Sequence, residues 1–488
     1  MKRRKNRSSN LMCRFQRHFR AATPMKRCKK LKKVELPDCV MSHIFSMLSL
    51  KDLVKTSALS KRWIHEWGLR TDLNFDLHNM FDYNTIQDLP KSLPLFESEF
   101  ATRLDQFVLQ YQGASIRSIR VNFPLDNEHS DVIDRLISKG ISKGVKRIEL
   151  LFSSEINDTT TGFIVPYRFH TTLLSDTDSL TYLHLQNCLL ITPMDFSGLK
   201  NLTTIVLDGL IDSPSQHILS HLFSESIQLE DATFMNCKFE RSLTITSPKL
   251  RRLSIINCGL EDCTPNYFIN ALNLLSFEYS NPRLSIIIVR APRLLNVFLN
   301  TAARAKTPCP FYKIPGLTHI ENLATIICPS QIEIFTAKLV QFQNLRQLEL
   351  FIEGAHDFNM DYFWILDIAM ASQHLQKLSV TIRNLHLEHS HIVGFKNQKR
   401  KYAGFSHNDL KYVEFCGCVC STNVIELAGH LLRNAKSLKK MTFSSRDKFY
   451  IGAGRWTNCS DGCCGFEQNV IHEILKDEVN EQCQFIIL

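Results

Sequence analysis

One spacing constrains this chain more than anything else in it. From residue 116 onward an apolar residue is followed three and five positions later by two more, over and over. The clearest copies are Leu180, Leu183, Leu185 with Cys188; Leu229, Ala232, Phe234 with Cys237; Leu250, Leu253, Ile255 with Cys258; and Leu410, Val413, Phe415 with Cys418. Weaker copies begin at Ile116, Val145, Leu202, Leu274, Leu294, Leu317, Leu345, Leu375 and Leu438, so successive starts lie 20 to 35 residues apart. The two inner positions alternate as a strand should, and a strand with one apolar face cannot bury that face alone. Stacking about thirteen such units predicts a curved parallel sheet with helices or irregular turns on its convex side. In the copy at Leu317, Asn322 falls on an inward position.

The spacing is that of leucine-rich repeats, whose period is about 20–29 residues. A chain of 488 residues exceeds what one compact core supports, in keeping with a repeat architecture. The formal net charge of +10 is local in origin. Residues 1–33 hold 14 of the 58 Lys and Arg and none of the 48 acids, leaving 44 basic against 48 acidic side chains elsewhere. A nucleic-acid-binding domain would carry its charge on a folded face, and here the charge sits on an arm expected to be disordered. The arm's clusters, Lys2–Arg7 and Lys26–Lys33, fit a nuclear-localisation signal. No apolar segment reaches the ~18 residues a membrane-spanning helix needs, and no signal peptide is visible. The expected location is the nucleus, the cytoplasm or both, with free thiols.

Residues 34–75 differ in character. Val40, Ile44, Phe45 and Leu48 recur at helical spacing after Leu36-Pro37-Asp38, Leu53 and Val54 follow a break at Ser49, and Trp63 and Trp67 lie one turn apart. Three short helices form a module too small for a generous core, so it leans on a partner. The run Leu36-Pro37-Asp38, Ile44-Phe45, Leu48, Leu53-Val54 and Ser60-Lys61-Arg62-Trp63 resembles an F-box, with Ser49 where that family usually has Pro and Cys39-Val40-Met41 where an acid is common. The resemblance implies docking on a Skp-type adaptor of a cullin–RING ubiquitin ligase. It assigns adaptor binding to Leu36, Pro37, Ile44, Phe45, Leu48, Leu53 and Trp63. Residues 76–112, with Pro90 and Pro94, read as a linker before repeats over 113–405.

From about 406 to 488 one further repeat strand leads into a helical period over Val424–Leu432 and a strand-like one over Leu438–Phe443. This stretch resembles the FBD-type segment that ends many plant F-box/leucine-rich-repeat proteins, and it reads as the terminal repeat and cap that a solenoid needs. Cys188, Cys237, Cys258 and Cys418 hold the repeat's ninth position, where a buried Cys packs as a small hydrophobe. Cys459, Cys463, Cys464 and His472 offer a single Cys-x₃-Cys pair, short of the two pairs of a structural zinc site, so neither metal nor cofactor is expected. Nucleophile-elbow, phosphate-loop and zinc-protease signatures are absent from the sequence, and no catalytic residue is assigned.

Residues alternating with the inward ones face the concave side of the sheet. Tyr182, His184, Asp208, Arg252, Phe298, Phe351 and Tyr412 are the expected target-binding residues there. Aromatics among amides and both charge signs suit a protein partner better than a phosphate backbone. The expected function is substrate recognition for a Skp–cullin–F-box ligase, non-catalytic and acting by proximity. Two alternatives stay open: a small-molecule-gated co-receptor of the same architecture, and a repeat scaffold with a vestigial F-box. The target itself is not named by its receptor's fold.

Overall fold

The structure, a computed structural model, describes residues 36–488 apart from 57–69, 83–92, 153–164, 176, 192, 194–198, 211–222, 224–227, 240–241, 260–265, 282–286, 301–318, 340–341, 355–359, 384–401, 403, 420, 447, 453–454, 459–467 and 480–481. By internal contacts the chain divides into two units, Met1–Ile44 and Phe45–Leu488. The basic arm and Trp63 lie outside the described residues, as do Cys459, Cys463 and Cys464.

Two short helices open the described chain, α1 (Asp38–Met47) and α2 (Leu50–Thr56). Pro37 sits just before α1, and its carbonyl accepts the first turn's amides from Val40 at 2.9 Å and Met41 at 3.1 Å. Ser49 begins α2 as a cap: its hydroxyl accepts the Asp52 amide at 3.2 Å and donates to the Asp52 carboxylate at 2.5 Å. The residue that departs from the expected Pro therefore satisfies a helix terminus that Pro leaves to water.

The repeats form one parallel sheet of fifteen strands, in strict chain order. They are β1 (Asp72–Asp76), β2 (Ser118–Asn122), β3 (Arg147–Leu151), β4 (Tyr182–Gln186), β5 (Thr204–Asp208), β6 (Asp231–Met235), β7 (Arg252–Ile256) and β8 (Ser276–Ser280). There follow β9 (Asn296–Asn300), β10 (Asn322–Ile327), β11 (Gln347–Glu353), β12 (Lys377–Arg383), β13 (Tyr412–Gly417), β14 (Lys440–Ser444) and β15 (Gln484–Ile487). Inward residues such as Leu183, Leu253 and Phe415 are buried, and the positions between them line the open face. Every expected repeat start precedes a strand, with one correction. Asn322 pairs in register with Asn296 and Gln347, so it faces outward. The copy begins at buried Ile320 and not at Leu317, and Leu323 and Thr325 point inward. Thr325 at a position usually filled by Leu or Phe concealed the true register.

The sheet extends one strand beyond the expected repeats at each end, with β1 directly after the helical module and β15 at the C-terminus. The stretch 76–112, read as a linker, holds the helix α3 (Leu93–Gln110), whose Phe96, Phe100, Leu104 and Phe107 are buried. Phe100 stacks on Phe123 with centroids 4.3 Å apart. Helix α4 (Ser130–Ser142) lays Ile133, Leu136 and Ile137 on the same layer, and Gly140 lets it approach Ile119 so closely that a methyl would collide. Further round the stack come α5 (Ile332–Leu339) and α6 (Trp364–Ala371). Two small sheets complete the outer layer, one of Leu243–Thr246, Tyr267–Asn270 and Ile287–Arg290, the other of Tyr167–His170 and Cys188–Ile191. Helix α7 (Thr422–Asn434), capped by Ser421, and β14 match the helical and strand-like periods of the terminal segment. Helix α8 (Gln468–Leu475) precedes β15.

Candidate functional site

Two surfaces follow from this scaffold. In α1 the apolar side chains are split between the outside and the interior. Leu36, Val40, Ile44 and Met47 are 42%, 39%, 37% and 76% exposed, an unusual row of large apolar groups left to water. Pro37 is exposed and Leu48 half-buried. Phe45 and Leu53, by contrast, are fully buried. They belong to the packing inside the chain and are not available to a partner, which corrects their sequence-based assignment. Val40 and Met47 are exposed instead, at the helical spacing of Ile44. Helix α2 is tied to the first repeat: the Lys51 ammonium donates to the Phe81 carbonyl at 2.7 Å, and the Arg70 guanidinium to the Leu48 carbonyl at 2.7 Å.

The second surface is the open face of the sheet. Strand register lines up its side chains in rows, one of which runs His184, Val206, Thr233, Ser254, Glu278, Phe298, Ala324, Glu349, Ser379, Glu414. Over β2 to β7 no described segment is seen to cover this face, and it is largely polar. Glu149 is buried between the guanidiniums of Arg120, at 3.4 Å, and Arg147. Arg147 also lies 3.6 Å over the Tyr182 ring. Burial holds the His184 imidazole below its ordinary pKa, so it is neutral at pH 7. Asp208 accepts from Gln186 and Asn236, each at 2.9 Å, and Arg252 pairs with Asp231 at 2.5 Å. Tyr182, His184, Asp208 and Arg252 thus share one continuous face, as expected.

Over β8 to β13 part of the face is covered by the chain itself. After β14 the strands Lys448–Gly452 and Arg455–Asn458 form an antiparallel hairpin, a sheet of its own. Its Tyr450 ring stacks on Phe298 with centroids 3.8 Å apart, beside Ile326 and Phe351. The Tyr450 hydroxyl donates to Glu278, and the Lys448 ammonium to Glu414 at 2.5 Å. Arg383 donates to the Lys448 carbonyl and reaches Glu353 at 2.6 Å. Phe298 and Phe351 are therefore 8% and 1% exposed: in this structure the hairpin occupies the face on which they were expected to meet a target. Tyr412, at the start of β13, is exposed. Beside Tyr450 a cleft of about 580 Å³ remains open, lined by Arg252, Ser254, Glu278, Asn296, Asn322 and Glu349 among others. A second depression, of about 620 Å³, lies on the helical side between α5 and α6 and is lined mainly by apolar groups.

The hairpin's docking could not be read from the sequence, since Tyr450 and Glu278 are 172 residues apart. Among the described residues no group of His, Cys, Asp or Glu is placed to hold a metal ion. Nor is any described helix long and apolar enough to cross a membrane.

A family model described as At1g61320/AtMIF1, LRR domain, matches residues 108–480, and the F-box domain model matches residues 34–65. A putative F-box/FBD/LRR-repeat protein of Arabidopsis thaliana is 22% identical over 441 residues, covering 84% of this chain and 87% of that protein. An F-box/FBD/LRR-repeat protein of the same plant is 24% identical over 451 residues, covering 86% and 92%. An F-box/LRR-repeat protein, also from Arabidopsis, is 25% identical over 303 residues, covering 61% and 90%.

Proposed function

This chain belongs to the plant F-box/leucine-rich-repeat family, with an FBD-like C-terminal segment, and from that membership we propose that it is the substrate-recognition subunit of a Skp–cullin–F-box ubiquitin ligase. It acts in the nucleus, the cytoplasm or both. The adaptor binds through the F-box, the repeats hold a target protein, and a separate enzyme transfers ubiquitin. The contribution of this chain is proximity, which raises the effective concentration of target lysines at the conjugating enzyme.

The observation that carries the reading is the exposed apolar row of α1, Val40, Ile44 and Met47, in a segment that matches the F-box domain. Large exposed apolar groups cluster where a partner covers them, and a few such anchors carry most of an interface's affinity. Because these three are on the surface, charge there leaves the fold intact. Co-purification of the full chain with a Skp-type adaptor is the test. Val40→Asp and Ile44→Asp should each weaken binding by about 2 kcal/mol, roughly thirtyfold, with unchanged thermal stability. Wild type that does not bind, or a double variant that binds as well as wild type, refutes the reading.

A further inference from the structure

The hairpin of Lys448–Gly452 and Arg455–Asn458 is not needed to complete the stack. Strand β14 pairs directly with β15 in continuous register, so the hairpin is an excursion between two neighbouring strands. It contributes no strand to the main sheet, and an isolated two-stranded hairpin is marginal by itself. What holds it is the open face beneath it, through Lys448 on Glu414, Tyr450 on Phe298 and the Tyr450 hydroxyl on Glu278. Among the described contacts, an aromatic ring on a small apolar cluster, flanked by hydrogen-bonded charges, is the make-up of an exchangeable interface; obligate cores are more apolar.

We propose that this hairpin is an in-chain occupant of the target site: β8 to β13 form a docking surface for an extended protein segment carrying a cationic side chain and, two residues along, an aromatic ring. Lys448 and Tyr450 fill that surface in the resting chain, and such a target segment displaces them. The spacing follows from strand geometry, since residues i and i+2 share a face. Glu414 takes the cation while Ser379 holds the same carboxylate at 3.1 Å. Phe298 and Glu278 take the ring and its hydroxyl. The polar face over β2 to β7 and the cleft beside Tyr450 then receive flanking parts of the target. This rests on the reading of the repeats as the target-binding part, and it adds the target's chemistry and a gate on the same face.

The tethered hairpin competes at an effective concentration on the order of millimolar, so any trans segment that binds more weakly than this is masked in the wild type. The test adds a fluorescent, cyclised peptide of residues 446–458 to the full chain and reads anisotropy. The double variant Lys448→Ala with Tyr450→Ala should bind the peptide about tenfold or more tighter than wild type. Adding Glu278→Gln and Glu414→Gln to it should abolish that gain. A variant that binds no better than wild type overturns the proposal, and so does binding indifferent to the two glutamates. Should the double variant fold poorly, hydrogen exchange on wild type decides. Saturating peptide should raise exchange over 448–458 while β14 and β15 stay protected; unchanged exchange, or loss of protection throughout, overturns the displacement. Loss of adaptor binding with peptide docking intact rejects the ligase reading alone, and the reverse result rejects this one alone.

Discussion

At the scale of single residues, the turns after β4, β5, β6 and β7 are as regular as the strands. Asn187, Asn236 and Asn257 have φ of 53°, 52° and 51°, and Gly209, at the equivalent place, 62°. Their amides continue the ladder: Asn187 donates to Asp208, Gly209 to Met235, Asn236 to Ile256 and Asn257 to Ser280, at 2.6–2.8 Å. The chain turns sharply out of these four strands through a left-handed residue, which only Gly and Asn adopt at low cost. The buried cysteine follows directly. Cys188, Cys237 and Cys258 each point an S–H at a strand carbonyl, and burial pushes the Cys188 and Cys237 thiols well up. The cysteines were legible in the sequence as a repeat position, whereas the Asn before them was not, since a left-handed residue and a solvated polar one look alike in a string. Asn257→Gly should leave stability within about 0.5 kcal/mol of wild type, while Asn257→Val should cost about 1–2 kcal/mol, read from urea midpoints. Equal losses would mean that the side chain, and not the φ angle, matters there.

At the scale of elements, strands and the first two F-box helices were readable because period and composition are local. The register of β10 was not, since Thr325 sits where an apolar residue belongs and Leu317 imitated a start. Nor was the hairpin's docking, which depends on groups brought together only by the stack. That docking is sensitive to acid. Burial opposes a charged Glu414, yet Lys448 beside it, helped by Ser379 and Lys377, outweighs burial and leaves the carboxyl below its usual range. A carboxyl with a depressed folded pKa stabilises fully above its free value of about 4.5, and that stabilisation fades as pH falls through the folded value. Hydrogen exchange over 448–458, corrected for intrinsic rates, should therefore accelerate below about pH 4.5, and Glu414→Gln should flatten the dependence. A pH profile identical in the two proteins contradicts this.

At the scale of the whole molecule, each strand meets only its sequence neighbours, so stability is close to a sum of repeats and their interfaces. Leu253, buried in β7, illustrates the consequence. Leu253→Ala should cost about 2–5 kcal/mol, with faster hydrogen exchange in β6 and β8 and little change by β1 or β15. Loss of protection spread evenly over all fifteen strands would show a single cooperative unit. The general architecture was legible for the same reason: a one-dimensional stack writes its period into the sequence, and no distant pairing has to be guessed.

The hairpin is an exception to that one-dimensional logic. A stack of repeats bends like a spring, since small rotations at each interface add up. Tyr450 leaves the chain beside β14 yet grips Glu278 in β8, while Lys448 grips Glu414 in β13. The hairpin is thus a tie between β8 and β13, and it resists a change in the spacing of these strands while it is in place. Whatever lifts it changes the stiffness of the receptor as well as its exposed surface.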